Sequence, residues 1–230
     1  MNLLDVLFPK RCMGCKTFGA YLCVSCKTSL KFHDSFICPV CTLSSIDGLT
    51  HPGCRGRYTL DGLRAMHAYK GPIRLLLQRF KYSPWLTDLG QTIESLAINA
   101  LEKDHLFQSY LAKKPVVVPI PLHWTKKYLR GYNQSELLGK MFAQHFHLPF
   151  ALLIKRKKKT QAQFGLDREK RIENVSGAFS LTSEITSLST RYSNILLVDD
   201  VWTTGATMRV CANVLKRAGA KSVWALTIAR

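Results

Sequence analysis

The sequence predicts an α/β fold on a mostly parallel sheet, with a small metal-binding module in front of it. Three observations carry this. The unbroken aliphatic runs at 116–118 and 195–198 read as strands buried on both faces. Amphipathic helical stretches alternate with such strands from residue 63 to the end, the order that builds a parallel sheet. Seven of the eight Cys lie within the first 54 residues, mostly in pairs with two residues between them. A chain of 230 residues, 47% of them hydrophobic, suffices for one good-sized domain and one small module. The boundaries expected are 8–57 and 58–230.

The module comes first. Cys12 and Cys15, Cys23 and Cys26, and Cys38 and Cys41 form three C-x2-C knuckles, and His51 with Cys54 repeats the spacing with His in the leading place. Each knuckle offers two ligands on one tight turn, and two knuckles complete a tetrahedral shell. The expectation is two structural zinc sites, one of four Cys and one of three Cys with His51. Sequential and interleaved pairing are both open at this level. A disulfide framework fits less well, because seven Cys leave one unpaired and the start of the chain lacks a secretory pattern, Asp5 interrupting a short apolar run. Iron–sulfur ligation suits the first four Cys but makes poor use of His51.

The domain follows in order. Residues 63–69 read as a strand, 72–82 as a helix opened by Gly71 and Pro72, and 89–101 as an amphipathic helix. A strand at 116–121 ends in prolines, 134–146 is helical and 177–181 a strand. The 195–198 strand runs into Asp199 and Asp200, and a Thr/Gly stretch then opens a helix at 207–218 that stops at Gly219. Residues 221–229 make the last strand. Cys211, between Val210 and Val214, reads as a core residue. Ligands of such sheets lie at the strand C-termini, where residues 119–123 and 199–207 both fall.

Charge points to polyanions. The chain carries 33 Lys+Arg against 15 Asp+Glu, a formal +18. The span 113–171 concentrates the excess, with a block of five basic residues at 155–159. Trp124, Tyr128 and Tyr132 alternate with Lys126, Lys127 and Arg130, a mixture suited to stacking bases along a charged groove. No apolar run approaches the roughly 18 residues of a membrane span, so a cytoplasmic protein without membrane insertion is expected.

Exposed N–H groups at a helix start bind anions, and small residues let a phosphate approach them. The stretch Val198-Asp199-Asp200-Val201-Trp202-Thr203-Thr204-Gly205 resembles the 5-phosphoribosyl 1-diphosphate (PRPP) signature of type I phosphoribosyltransferases. That resemblance implies the same architecture here. It places Asp199 and Asp200, the candidate catalytic pair, on the ribose hydroxyls, and Thr203, Thr204, Gly205, Ala206 and Thr207 around the 5-phosphate. With the paired zinc ribbons, Val-Pro-Ile-Pro-Leu at 118–122, Arg-Gly-Tyr-Asn-Gln at 130–134, and the Thr160-Gln161-Ala162-Gln163 segment leading to Gly177-Ala178-Phe179, the whole chain is similar to the ComF competence proteins.

The resemblance implies that Pro121, Leu122 and His123 belong to a pyrophosphate loop. It also implies that a basic flexible loop including Gln163 and Arg168 closes over it, and that Mg²⁺ accompanies PRPP. Lys126, Arg130, Lys157, Lys158 and Lys159 are candidates for contacting DNA. The function implied is DNA uptake in natural transformation, with PRPP or another ribose phosphate and single-stranded DNA as ligands and other competence proteins, such as a helicase, as partners. The alternative is an active phosphoribosyltransferase with an unidentified acceptor. The zinc module, distant in sequence, is expected to keep its metal when Asp199, Asp200 or Gly205 is replaced.

Overall fold

The computed structural model describes residues 9–30, 35–82, 87–157, 177–182 and 192–230. Four strands form one sheet in the order β1-β6-β5-β2: β1 (Gly62–His67), β2 (Val116–Pro119), β5 (Asn194–Val201) and β6 (Ser222–Ala229). All three pairings are parallel, as the sequence predicts. Strands β3 (Ile154–Arg156) and β4 (Phe179–Leu181) form a separate antiparallel pair.

Alternation along the strands sorts side chains into two layers. Val117, Leu196, Val198, Leu226 and Ile228 face one core, which they share with helices α2 (Gly71–Phe80), α3 (Thr87–Leu101), α4 (His105–Leu111) and α6 (Gln134–His145). Val116, Val118, Ile195, Leu197, Val223 and Ala225 face the other, packed on Met208, Cys211, Ala212 and Leu215 of α7 (Ala206–Arg217). Burial on both faces explains why these strands carry no polar alternation. Cys211 is a core residue, wholly buried.

Helix α7 begins one residue before the predicted start and ends in a Schellman arrangement. The Ala220 N–H donates to the Leu215 carbonyl and the Gly219 N–H to that of Lys216, both at 3.1 Å, with Gly219 at φ +106°.

The two halves of the cysteine module are anchored differently, although Leu49 of the second half also packs on the first core. Cys12, Tyr21 and Leu22, beside the short helix α1 (Val24–Thr28), are buried in the α2–α3 core. Ile37 is buried in the α7 core.

Candidate ribose-phosphate site and metal centres

Strand β5 delivers both carboxylates to the sheet's C-terminal edge. Asp199 pairs in register with Thr227 of β6, and the neighbouring strand β2 ends where Pro119 faces Val198. The chain leaving β2 therefore passes directly beside the acid pair.

The Arg-Gly-Tyr-Asn-Gln segment supplies the next wall. Gly131, at φ +78°, ends helix α5 (Trp124–Arg130) in the left-handed conformation that glycine adopts without strain. The Asn133 side chain accepts from the Ser135 N–H at 3.2 Å, capping α6, and donates to the Ile120 carbonyl at 3.1 Å. This fixes Ser135, whose hydroxyl donates to Asp199 at 2.7 Å. On the opposite side, Lys81 at the end of α2 pairs with Asp200 at 2.6 Å. Ser135 and Lys81 belong to no motif and are invisible to spacing arguments; the fold alone brings them to the acids.

Electrostatics here are unusual on both sides. Burial, together with the negative charge of Asp200, pushes the Asp199 carboxyl up to about 7, against the Ser135 hydrogen bond that favours its charged form. Burial works to lower the Lys81 ammonium, but the Asp200 carboxylate outweighs it and raises Lys81 above the ordinary lysine range. Lys126 is depressed by burial and then by the charges of Arg156, Arg130 and Lys81. Burial likewise lowers Arg156.

These four cations line a cavity of about 180 Å³ with Asp199, Asp200, Pro121, Leu122, Gln134 and Thr207. A second cavity of about 50 Å³ adjoins it, walled by Asp199, Trp202, Thr203, Gly205, Ala206 and Thr207. Asp199 lines both cavities, the larger rich in cations and the smaller formed by the Thr/Gly turn that opens α7. Such an arrangement suits a ligand with anionic ends and hydroxyls between them.

Gly205 shapes the smaller cavity for a reason the sequence hides. Its φ is +74°, and a Cβ there would overlap the Trp202 ring packed against it. Thr204 turns inward, its hydroxyl accepting the Ala206 N–H at 3.4 Å, while Thr203 is exposed.

The remaining candidates scatter. His123 is buried and caps α5, its Nδ1 facing the Thr125 hydroxyl at 2.8 Å. Lys157 is exposed, its N–H donating to the Ala178 carbonyl at 2.7 Å. Lys158, Lys159, Gln163 and Arg168 lie outside the described residues. Helix α5 buries none of its residues, and Trp124, Tyr128 and Leu129 stand 71%, 86% and 82% exposed. Arg130 covers the exposed ring of Tyr82 at 5.3 Å. Tyr132 instead packs inward, edge-on to Phe80 at 5.8 Å.

The metal ligands assemble as two groups in sequential order: Cys12, Cys15, Cys23 and Cys26, then Cys38, Cys41, His51 and Cys54. Within each group the donor atoms lie within 4.8 Å of one another, close enough to share one ion. Backbone N–H groups of Gly14 and Cys23 point at the Cys12 sulfur, and that of Val40 at the Cys38 sulfur, each at 3.4 Å, as thiolate ligands require. His51 turns Nδ1 toward Cys41 at 3.4 Å and Nε2 toward the Ser44 carbonyl at 3.0 Å. That outer bond fixes the tautomer and leaves Nδ1 free for metal. Zinc fits both donor sets, and with four ligands committed at each the role is structural.

Taken together, the fold and its two cysteine groups define a double zinc ribbon joined to an α/β domain with a pair of acids at the strand ends. The double zinc ribbon domain family matches residues 3–55. Across nearly the whole chain there is similarity to competence protein F of Haemophilus influenzae, at 26% identity over 93% of this chain and 98% of that protein. Similarity to competence protein ComFC of Bacillus subtilis is 28% over 91% of this chain and 84% of the relative. DNA utilization protein YhgH of Escherichia coli strain K12 is 28% identical over 89% and 96%. The chain is a relative of the ComF competence proteins, as its motifs imply. Among the described residues no helix is long and apolar enough to cross a membrane.

Proposed function

We propose that this chain serves DNA uptake by holding a phosphorylated ribose at the β5–α7 edge and single-stranded DNA on helix α5 and its basic surroundings. The names of the relatives, competence protein F and DNA utilization protein, support the wider role. The observation that carries the finer reading is Asp199, shared by a cation-lined cavity that also takes in Asp200 and a small one formed by the 201–208 turn. Carboxylates accept hydrogen bonds from free ribose hydroxyls, whereas the interior of a DNA strand has no 2′-hydroxyl and an esterified 3′-oxygen. Two ligands thus call for two surfaces. Asp199 and Asp200 would take the ribose, residues 203–207 its 5-phosphate, and Lys126, Arg130 and Arg156 a diphosphate with Mg²⁺. Outside, Trp124 and Tyr128 offer exposed faces to bases, beside Lys127 and Arg130.

A second reading, phosphoribosyl transfer from PRPP, draws on the same cations, which would stabilise a departing diphosphate. Calorimetry with PRPP and ribose 5-phosphate in millimolar Mg²⁺ tests the site, and diphosphate release with added nucleobases separates transfer from binding. Single-strand binding should weaken with salt by about 0.7 log unit of affinity per log unit of salt for each phosphate contacted. Replacing Trp124 and Tyr128 by Ala should cost at least about tenfold while leaving that slope unchanged. Binding indifferent to salt and to both rings would end the DNA reading.

A further inference from the structure

One peptide unit of the second cysteine group faces both ways. The Val40 N–H points at the Cys38 sulfur at 3.4 Å, and the Pro39 carbonyl, on the other side of the same trans peptide, accepts the Arg209 Nε–H at 2.5 Å. Arg209 sits in the first turn of α7 and its own N–H closes that turn on the Gly205 carbonyl at 2.9 Å. Its guanidinium lies over the Trp202 ring, 5.7 Å from the centroid. Trp202 in turn occupies the space beside Gly205 and walls the small cavity. Ile37, next to Cys38, is buried in the same core as Trp202, Ala206 and Met208.

A thiolate held by metal keeps its N–H partner in place, and the rigid peptide plane passes that orientation to its carbonyl. We infer that the second metal centre sets the conformation of the 203–207 loop through Pro39, Arg209 and Trp202, so that filling this centre, and not the first, governs anion binding by the loop. Arg209 and Trp202 are positioning residues; neither needs to touch the ligand. The first centre reaches the domain elsewhere, through Gly14 beside Pro72 of α2 and Lys27 bonded to Ser95 of α3 at 3.4 Å.

The inference rests on the ribose-phosphate reading only for the identity of the anion, and its test keeps the two apart. Amide hydrogen exchange across residues 202–209 is followed in the full-length zinc-loaded chain, in Cys12→Ser, in Cys38→Ser and in Arg209→Met, with zinc content measured in each and ribose 5-phosphate affinity by calorimetry. Cys38→Ser and Arg209→Met should both speed loop exchange by about tenfold and weaken ribose 5-phosphate by a similar factor. Arg209→Met should keep both zinc ions, and strands β5 and β6 should stay protected, which a general loss of stability would not allow. Cys12→Ser should lose zinc yet leave the loop unchanged. Equal loop exchange in wild type and Arg209→Met, or equal loosening in Cys12→Ser and Cys38→Ser, overturns the inference. Should wild type fail to bind ribose 5-phosphate while the exchange pattern appears, the coupling stands and the ligand assignment falls.

Discussion

The first and second cysteine groups share a knuckle spacing, yet only the second reaches the α7 face of the sheet. Cys12 is 1% exposed within the core shared with α2 and α3, together with Tyr21 and Leu22. The second group reaches the α7 face through Ile37 and Arg209. It is also tied to the edge strand β1, where the Thr50 N–H donates to the Asp61 carbonyl at 3.0 Å and Arg64 to the Asp47 carbonyl at 2.8 Å. The difference is one of leverage. A metal site that packs on a helix pair stabilises a core, whereas one bonded to the first turn of α7 acts where a ligand would bind. A shared knuckle spacing thus carries no information about mechanical role; the neighbours decide it.

Removing ligands should split the two groups most strongly. Wild-type protein should hold about two zinc ions, and Cys12→Ser and Cys38→Ser about one each. The double variant should hold almost none, because the groups are sequential and each change strikes a different one. Retention of one zinc by the double variant would instead mean that the first and third knuckles share an ion. Cys12→Ser should lower thermal stability more than Cys38→Ser, since it opens the larger core.

Two glycines sharpen the contrast at a smaller scale. A Cβ at Gly14 would come 2.5 Å from the Cys26 sulfur, and one at Gly205 would overlap Trp202. Gly205→Val also forces a β-branched residue to φ +74°, a strained conformation costing about 1–3 kcal/mol. Gly205→Val should therefore weaken ribose 5-phosphate by about a hundredfold or more, with zinc content unchanged. Gly14→Val should lower zinc content by about half, with ribose 5-phosphate affinity nearly intact. Elemental analysis and calorimetry on the same preparations read both, and crossed effects would erase the distinction between the groups.

How much of this was legible depends on burial. Strands β2, β5 and β6 announce themselves because aliphatic side chains fill both faces, and the ligand groups because knuckle spacing is dictated by tetrahedral geometry. Helix α5 is hidden, since it buries none of its residues and so leaves no periodic signal; His123, read as a loop residue, is its cap. Helix α4 is seven residues long, too short for a pattern, although Asp104 does accept from the Phe107 N–H at 3.0 Å as a cap should. At the site, Asp199, Asp200 and the Thr/Gly loop form one contiguous string that can be read directly. Lys81, Ser135 and Arg156 come from three distant elements and meet the acids only through tertiary packing. Arg209 is harder still, because nothing in a helix's first turn says which carbonyl its side chain will reach.

The last comparison concerns the acid pair, which belongs to neither metal group. Asp199 titrates near 7 in the folded chain against an ordinary value of 3.8, chiefly through burial and then through Asp200, with Ser135 and Lys81 opposing. A raised acid means that the folded state holds its proton longer than the unfolded state does. Its contribution to stability is fully present below about 4 and is lost as pH rises through about 7. Replacing Asp199 with Asn removes the titration but keeps an acceptor for the Ser135 hydroxyl. The stability of wild type relative to Asp199→Asn should thus fall between pH 4 and 7 and then level off, read as a difference in denaturant midpoint at each pH. Cys12→Ser should show the same window, because the first metal group shares no contact with the acids. A difference that stays flat across that range would mean that the carboxyl is better solvated than its surroundings indicate, and that the site shared by the two cavities is charged before any ligand arrives.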